Sequence, residues 1–134
     1  MTTVIQTAQY ILKNRPLLTT MGLERLTFFS QCFYFASHSS LLYPEKSYKH
    51  PTSPVSHELF FLHAGKYLAR VEDIGTYEGG LSNDEERCCD WVLGHFGEAL
   101  WKECVEWNLT GHGEQISMED IQRIAIKLTD ISTH

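Results

Sequence analysis

Apolar residues recur along this chain at helical spacing, in short runs punctuated by Pro, Gly and Ser. Val4, Ile5, Ala8, Ile11 and Leu12 mark one face of a first helix that should stop near Lys13, ahead of Asn14 and Pro16. Thr19 and Thr20 can cap a second helix beginning near Met21. That segment is apolar around most of its circumference, with Leu26, Phe29, Phe33 and Ala36 on one face and Phe28, Cys32 and Phe35 on another. A helix of that kind, spanning about residues 21–38, belongs at the centre of a fold.

Pro44, Pro51 and Pro54 exclude a helix from Ser39 to Ser56 and predict an ordered loop, with room for a short extended pair near residues 42–50. Ser56 can cap a third helix through Glu58, Leu59, Phe60, Leu62 and His63, which Gly65 ends or weakens. Gly75, Gly79 and Gly80 mark a second loop. Ser82 and Glu85 then give the S-x-x-E pattern of a reciprocal helix cap, the clearest helix start in the chain. Cys88, Trp91, Val92 and Phe96 form the buried side of that helix, and Gly97 should interrupt it. A fifth helix is expected through Ala99, Leu100, Cys104 and Trp107, followed by a turn at Gly111-His112-Gly113. Ser117 caps a last helix striped by Ile121, Ile124, Ala125 and Leu128. The expected fold is mainly α, one compact domain over residues 1–134, with five to six helices around the central apolar one.

Composition narrows the classes. A chain of 134 residues with 43% hydrophobic content can bury a core without disulfides or metal. Cys32, Cys88, Cys89 and Cys104 are spaced like neither a disulfide framework nor a metal clip, so a reducing, cytoplasmic setting is expected. No basic region precedes the first apolar residues, and Gln6 and Gln9 interrupt them, so no secretory leader is expected. The most apolar run, Leu26 to Ala36, is too short to span a bilayer. Net charge is −6: residues 1–70 carry seven Lys/Arg against three Asp/Glu, and residues 71–134 four against fourteen, so +4 and −10. The acidic half is either a set of solvated helix faces or, around Asp84, Glu85, Glu86 and Asp90, a surface for a basic partner.

A search for chemistry finds little. His57-Glu58 opens like a zinc-protease helix, but Phe61 stands where the second histidine is needed. Adjacent Cys88 and Cys89 point about 100° apart on a helix and cannot chelate one ion as an i, i+4 pair would. No nucleophile-elbow serine is present, and Gly79-Gly80 runs into an acidic helix start that repels phosphate. The carboxylate pairs Glu85-Glu86 and Glu119-Asp120 fall at helix starts, where the dipole accounts for them. No catalytic residue, metal or cofactor is assigned. An unrecognised enzyme site would have to gather His50, His57, His95 or His112. The most distinctive irregular segment is Tyr48 to Pro54, whose restricted residues either close the core or present Tyr48, Lys49, His50, Ser53, Pro54, His57 and Glu58 to a partner.

Four segments carry a resemblance: AQYIL at Ala8 to Leu12, LERLTFFSQCFYFASHSSLL at Leu23 to Leu42, YKHPTSPVSHEL at Tyr48 to Leu59, and LSNDEERCCDWVLGHFG at Leu81 to Gly97. Together they resemble the Panacea domain family, the SocA/GepA-like and phage-associated antitoxin proteins. Leu23, Leu26, Phe28, Phe29 and Gln31 occupy the marked positions of that family's second segment, and Lys49, Pro54 and Val55 those of its W-K-x-G-P-V signature. Tyr48 stands in place of Trp and Ser53 in place of Gly, Pro51-Thr52 lengthen the loop, and the family's Thr-His element after Gly97 is absent. The resemblance covers most of residues 4–97. It implies a helical domain that neutralises a cognate toxin by direct contact, in some members also as a proteolytic adaptor, with no catalytic residues. The alternative reading is a phage or mobile-element inhibitor of a host nucleic-acid enzyme or CRISPR effector that uses the acidic half. Either way the expected partner is a protein, with no direct nucleic-acid or membrane binding, and a homodimer would use aromatics such as Trp101 or Trp107.

Overall fold

The computed structural model describes residues 2–96, 102 and 105–133. Among these the fold is mainly α, with six helices and two small antiparallel ladders. Helix α1 (Val4–Asn14) starts in a reciprocal cap between Thr3 and Gln6 and buries Val4, Ala8, Ile11 and Leu12. Asn14 and Pro16 end it where the sequence requires. Helix α2 (Thr20–His38) is capped by Thr19, whose hydroxyl accepts from the Gly22 amide, and closes on Ser39 in the left-handed region, φ 55°. Every residue from Leu26 to Cys32 is buried. That pattern requires neighbours all around, and α2 packs against α1, α5 (Asn83–His95) and α6 (Met118–Ser132). Phe29 lies at the centre, stacked on Phe96 at 5.6 Å and edge-on to Trp107 at 5.3 Å.

One stripe of α2 is polar although buried: Glu24, Thr27 and Gln31, spaced three and four apart. Gln31 organises the turn after the helix. Its Oε1 accepts from the amides of Leu42 (2.6 Å) and Tyr43 (3.1 Å), and its Nε2 donates to the Tyr43 carbonyl (3.0 Å). Leu42 and Tyr43 are thereby sealed into the core, and only the far end of the 42–50 stretch is extended. That end is β2 (Ser47–His50), which pairs with β3 (Ser53–Ser56) across a tight turn at Pro51-Thr52. Pro54 is tolerated inside this hairpin because of its register. It faces Lys49, whose own amide points away from β3 to the Glu114 carbonyl at 2.7 Å, so no donor is missed at Pro54.

The Gly111 to Ile116 stretch adds a third, irregular edge to the hairpin. Gly113 and Ile116 donate to the carbonyls of Lys49 (2.6 Å) and Ser47 (2.8 Å). Lys49 Nζ lies 3.4 Å from Asp120 in the first turn of α6, which Ser117 caps. Partial burial acts against ionisation of Asp120, but hydrogen bonds from Ser117 and Arg123 and the charge of Lys49 outweigh it and lower its pKa. A lowered carboxyl pKa contributes stability above the ordinary carboxylate range that disappears as pH falls through the folded value. Asp120→Asn should therefore cost about 1 kcal/mol at neutral pH and nothing in strong acid, read from thermal melts at the two pH values.

Three short elements were not anticipated: β1 (Leu18–Thr19), its antiparallel mate β4 (Leu68–Ala69), and α4 (Val71–Ile74). They are too brief for periodicity to register. Helix α3 (His57–His63) ends two residues before Gly65, which adopts φ 79°. The expected helix through Ala99, Leu100 and Cys104 falls largely outside the described residues, as does Trp101. Trp107, expected on an exposed face, is instead 4% exposed and part of the core.

Candidate functional site

Of the hairpin residues that the sequence singled out, two are buried and five are wholly or partly at the surface. Ser53 and Pro54 are buried, Lys49 is held by Asp120, and Tyr48 lies flat on His57 with ring centres 3.9 Å apart. His57 and Glu58 are exposed, and Glu58 accepts from the Ser56 hydroxyl at 3.0 Å. His50 meets His57 edge-on at 6.2 Å. His112 lies in the turn hydrogen-bonded to β2, whereas His95 stacks on Trp91 at the end of α5. Among the described residues no three His, Cys, Asp or Glu side chains converge as a metal ion would need. Cys32, Cys88 and Cys89 are buried free thiols. Burial, first of all, pushes Cys88 up to about 11 and Cys89 up to about 12, where neither is a thiolate at neutral pH.

The acidic set is also largely occupied within the chain. Glu85 accepts from the Ser82 amide (2.7 Å) and the Thr2 hydroxyl (2.8 Å), Glu86 from Tyr77 (3.0 Å), and Asp90 from Tyr10 (2.7 Å). Burial, with the hydrogen bond to Asp90 next, raises the Tyr10 pKa, so the phenol stays a donor. Asp84 pairs with Arg87 at 3.2 Å and lies 3.9 Å from His38. Three of these four carboxylates thus tie α5 to the N-terminal segment and the glycine-rich loop, while Asp84 and Asp90 are exposed.

The surface feature that stands out lies elsewhere. Eleven large apolar side chains are exposed among the described residues, and seven of them, Leu17, Phe60, Phe61, Leu62, Tyr67, Leu68 and Val71, come from α3 through α4 and the β1 strand alongside. Phe61 is 82% exposed, Tyr67 77% and Leu17 85%. Pro16, Leu17, Leu68 and Val71 line a depression of 280 Å³, and Tyr67 and Leu68 border a second hollow beside Lys66, Arg70, Glu72 and Asp73. Helix α3 packs against α4, and Leu17 and Leu68 line the same depression beside the β1–β4 ladder. Exposed apolar surface gathered in one place marks an interaction site, whereas single scattered residues do not.

What holds α3 in place is a buried pair. Leu59 and His63 are its only buried residues, one turn apart on the inner side. His63 Nε2 lies 2.8 Å from Glu24 Oε2, and Glu24 Oε1 accepts from the Ser56 amide at 3.0 Å. Both side chains are 1% exposed. Burial is the main influence on Glu24 and raises its pKa, against the hydrogen bonds from His63 and Ser56 that favour the carboxylate. Seven residues are too few to form a helix alone, so this pair and Leu59 fix the element that displays Phe60 and Phe61.

Both features left traces in the sequence. Leu59-Phe60-Phe61-Leu62 places four consecutive apolar residues on a helix, which together span about 300° of its circumference, so some must face outward. Glu24, Thr27 and Gln31 form a helical stripe of polar residues inside an otherwise apolar run, a sign that they meet polar groups across the core. The long-range partner, His63, gave no local sign. Comparison with known protein families, with curated proteins and with solved structures finds no match to this chain. No helix among the described residues is long and apolar enough to cross a membrane.

Proposed function

We propose that the chain is a protein-binding domain of antitoxin type, which neutralises a partner protein by direct, non-catalytic contact through the apolar face of β1, α3, β4 and α4. The concentration of exposed apolar side chains on that one face carries the reading. A protein suits this face better than an anionic lipid surface, since Glu72 and Asp73 offset Lys66 and Arg70 beside the apolar residues and leave no net positive charge to attract it. The motifs resembling the Panacea domain point the same way. The acidic-surface alternative draws less support, because Glu85, Glu86 and Asp90 already serve as internal acceptors.

The test is co-expression with the product of the neighbouring gene. The wild-type chain is expected to relieve that protein's toxicity, and Phe61→Glu or Tyr67→Glu to lose protection while melting within about 0.5 kcal/mol of wild type, as surface changes do. A neighbour that stays toxic in the presence of the wild-type chain would refute the antitoxin reading. Full protection by both variants would refute the assigned face.

A further inference from the structure

We infer that, in the absence of a foreign partner, this apolar face is covered by a second copy of the chain in a two-fold dimer, which the foreign partner must displace. The inference rests on the reading of the face as the docking surface and adds how that surface is guarded.

Two observations single out a second copy. The first is exposure: Leu17, Tyr67, Leu68 and Val71 stay uncovered around two hollows that share Leu68, Arg70 and Glu72, a patch that one copy can set against the same patch of another. The second is charge. Lys66, Arg70, Glu72 and Asp73 border the face, and none of them is in an ion pair within the chain among the described residues. Their charges sum to zero, whereas the whole chain carries −6 and would repel its own copy over most of its surface. A two-fold contact sets a patch against itself, so that residue i of one copy meets residue j of the other and j meets i. A rim of one sign could not satisfy itself in this way; a rim holding both signs can. Arg70 and Glu72 line the same depression as Leu17, Leu68 and Val71. In the dimer, Arg70 meets Glu72 of the second copy around that apolar centre.

Sedimentation velocity of the purified full chain, from low to high micromolar, tests this. Wild type is expected to pass from monomer to dimer, and Phe61→Glu to stay monomeric with an unchanged circular dichroism spectrum. Arg70→Glu alone and Glu72→Arg alone should each weaken association by about tenfold or more, and the combined charge swap should restore it. A wild-type chain that stays monomeric throughout would overturn the inference. So would a dimer indifferent to Phe61→Glu and Arg70→Glu, or a combined swap no better than either single change. If the dimer fails but Phe61→Glu still abolishes toxin neutralisation, the docking reading stands without it. If the dimer forms as described but Phe61→Glu neutralises normally, the docking reading is the one that falls.

Discussion

His63→Ala is expected to destabilise the protein by about 3–5 kcal/mol at about pH 7.5, because it strands the Glu24 carboxylate in the core with only the Ser56 amide as partner. The sign of the pH dependence follows from the direction of the Glu24 shift. A carboxyl that binds its proton more tightly when folded contributes stability that is complete below its unfolded pKa and is lost as pH rises through the folded one. In the wild type His63 limits that loss by stabilising the carboxylate. Without it the folded pKa of Glu24 climbs further, so the variant's deficit should shrink as pH falls from about 7.5 towards about 5. Glu24→Gln provides the contrast. Its carbonyl can accept from Ser56 and its amide can donate to a neutral His63, so it should stay within about 1.5 kcal/mol of wild type. Denaturant melts of the three proteins at both pH values measure this. Equal damage from His63→Ala at the two pH values would contradict the assignment of the pair.

The second large effect is expected at Gln31. Gln31→Leu fills nearly the same volume but leaves the Leu42 and Tyr43 amides and the Tyr43 carbonyl without partners in the core. Each buried unpaired group costs about 1–3 kcal/mol, and the turn can rotate some of them towards water, so a loss of about 3–5 kcal/mol is expected. Tyr43 is 1% exposed, so the near-ultraviolet circular dichroism of the variant should lose tyrosine signal even where the helices survive. A variant that melts like wild type would show that the turn does not depend on Gln31.

The contrast between these residues and their neighbours explains what could be read in advance. Helices α1, α2, α5 and α6 were legible because capping and periodicity are local: the helical spacing of Val4 to Leu12, Thr19 ahead of an apolar run, Ser82 with Glu85, and Ser117 ahead of an isoleucine stripe each announce a helix within a few positions. Only the first strand of the hairpin fell within the expected 42–50 stretch, because its register depends on Glu114 and Ile116, more than sixty residues away, and Pro54 read as a breaker until its unpaired side was known. In the candidate site, Tyr48 and Lys49 drew notice for their chemistry and also join the hairpin to α3 and α6, while Ser53 is buried. Leu17, Tyr67 and Val71 drew none, since apolar residues are assumed to be inside until a structure shows them outside.

That exposed face is the centre of the account, and hydrogen exchange of the free chain against its complex with the neutralised partner tests it most directly. The free chain is held at a dilution that keeps it monomeric. Binding is expected to slow exchange at residues 17–20 and 60–74. Slowing confined to residues 83–90 or to the hairpin at 47–56, with 60–74 unchanged, would contradict the assignment of the docking face.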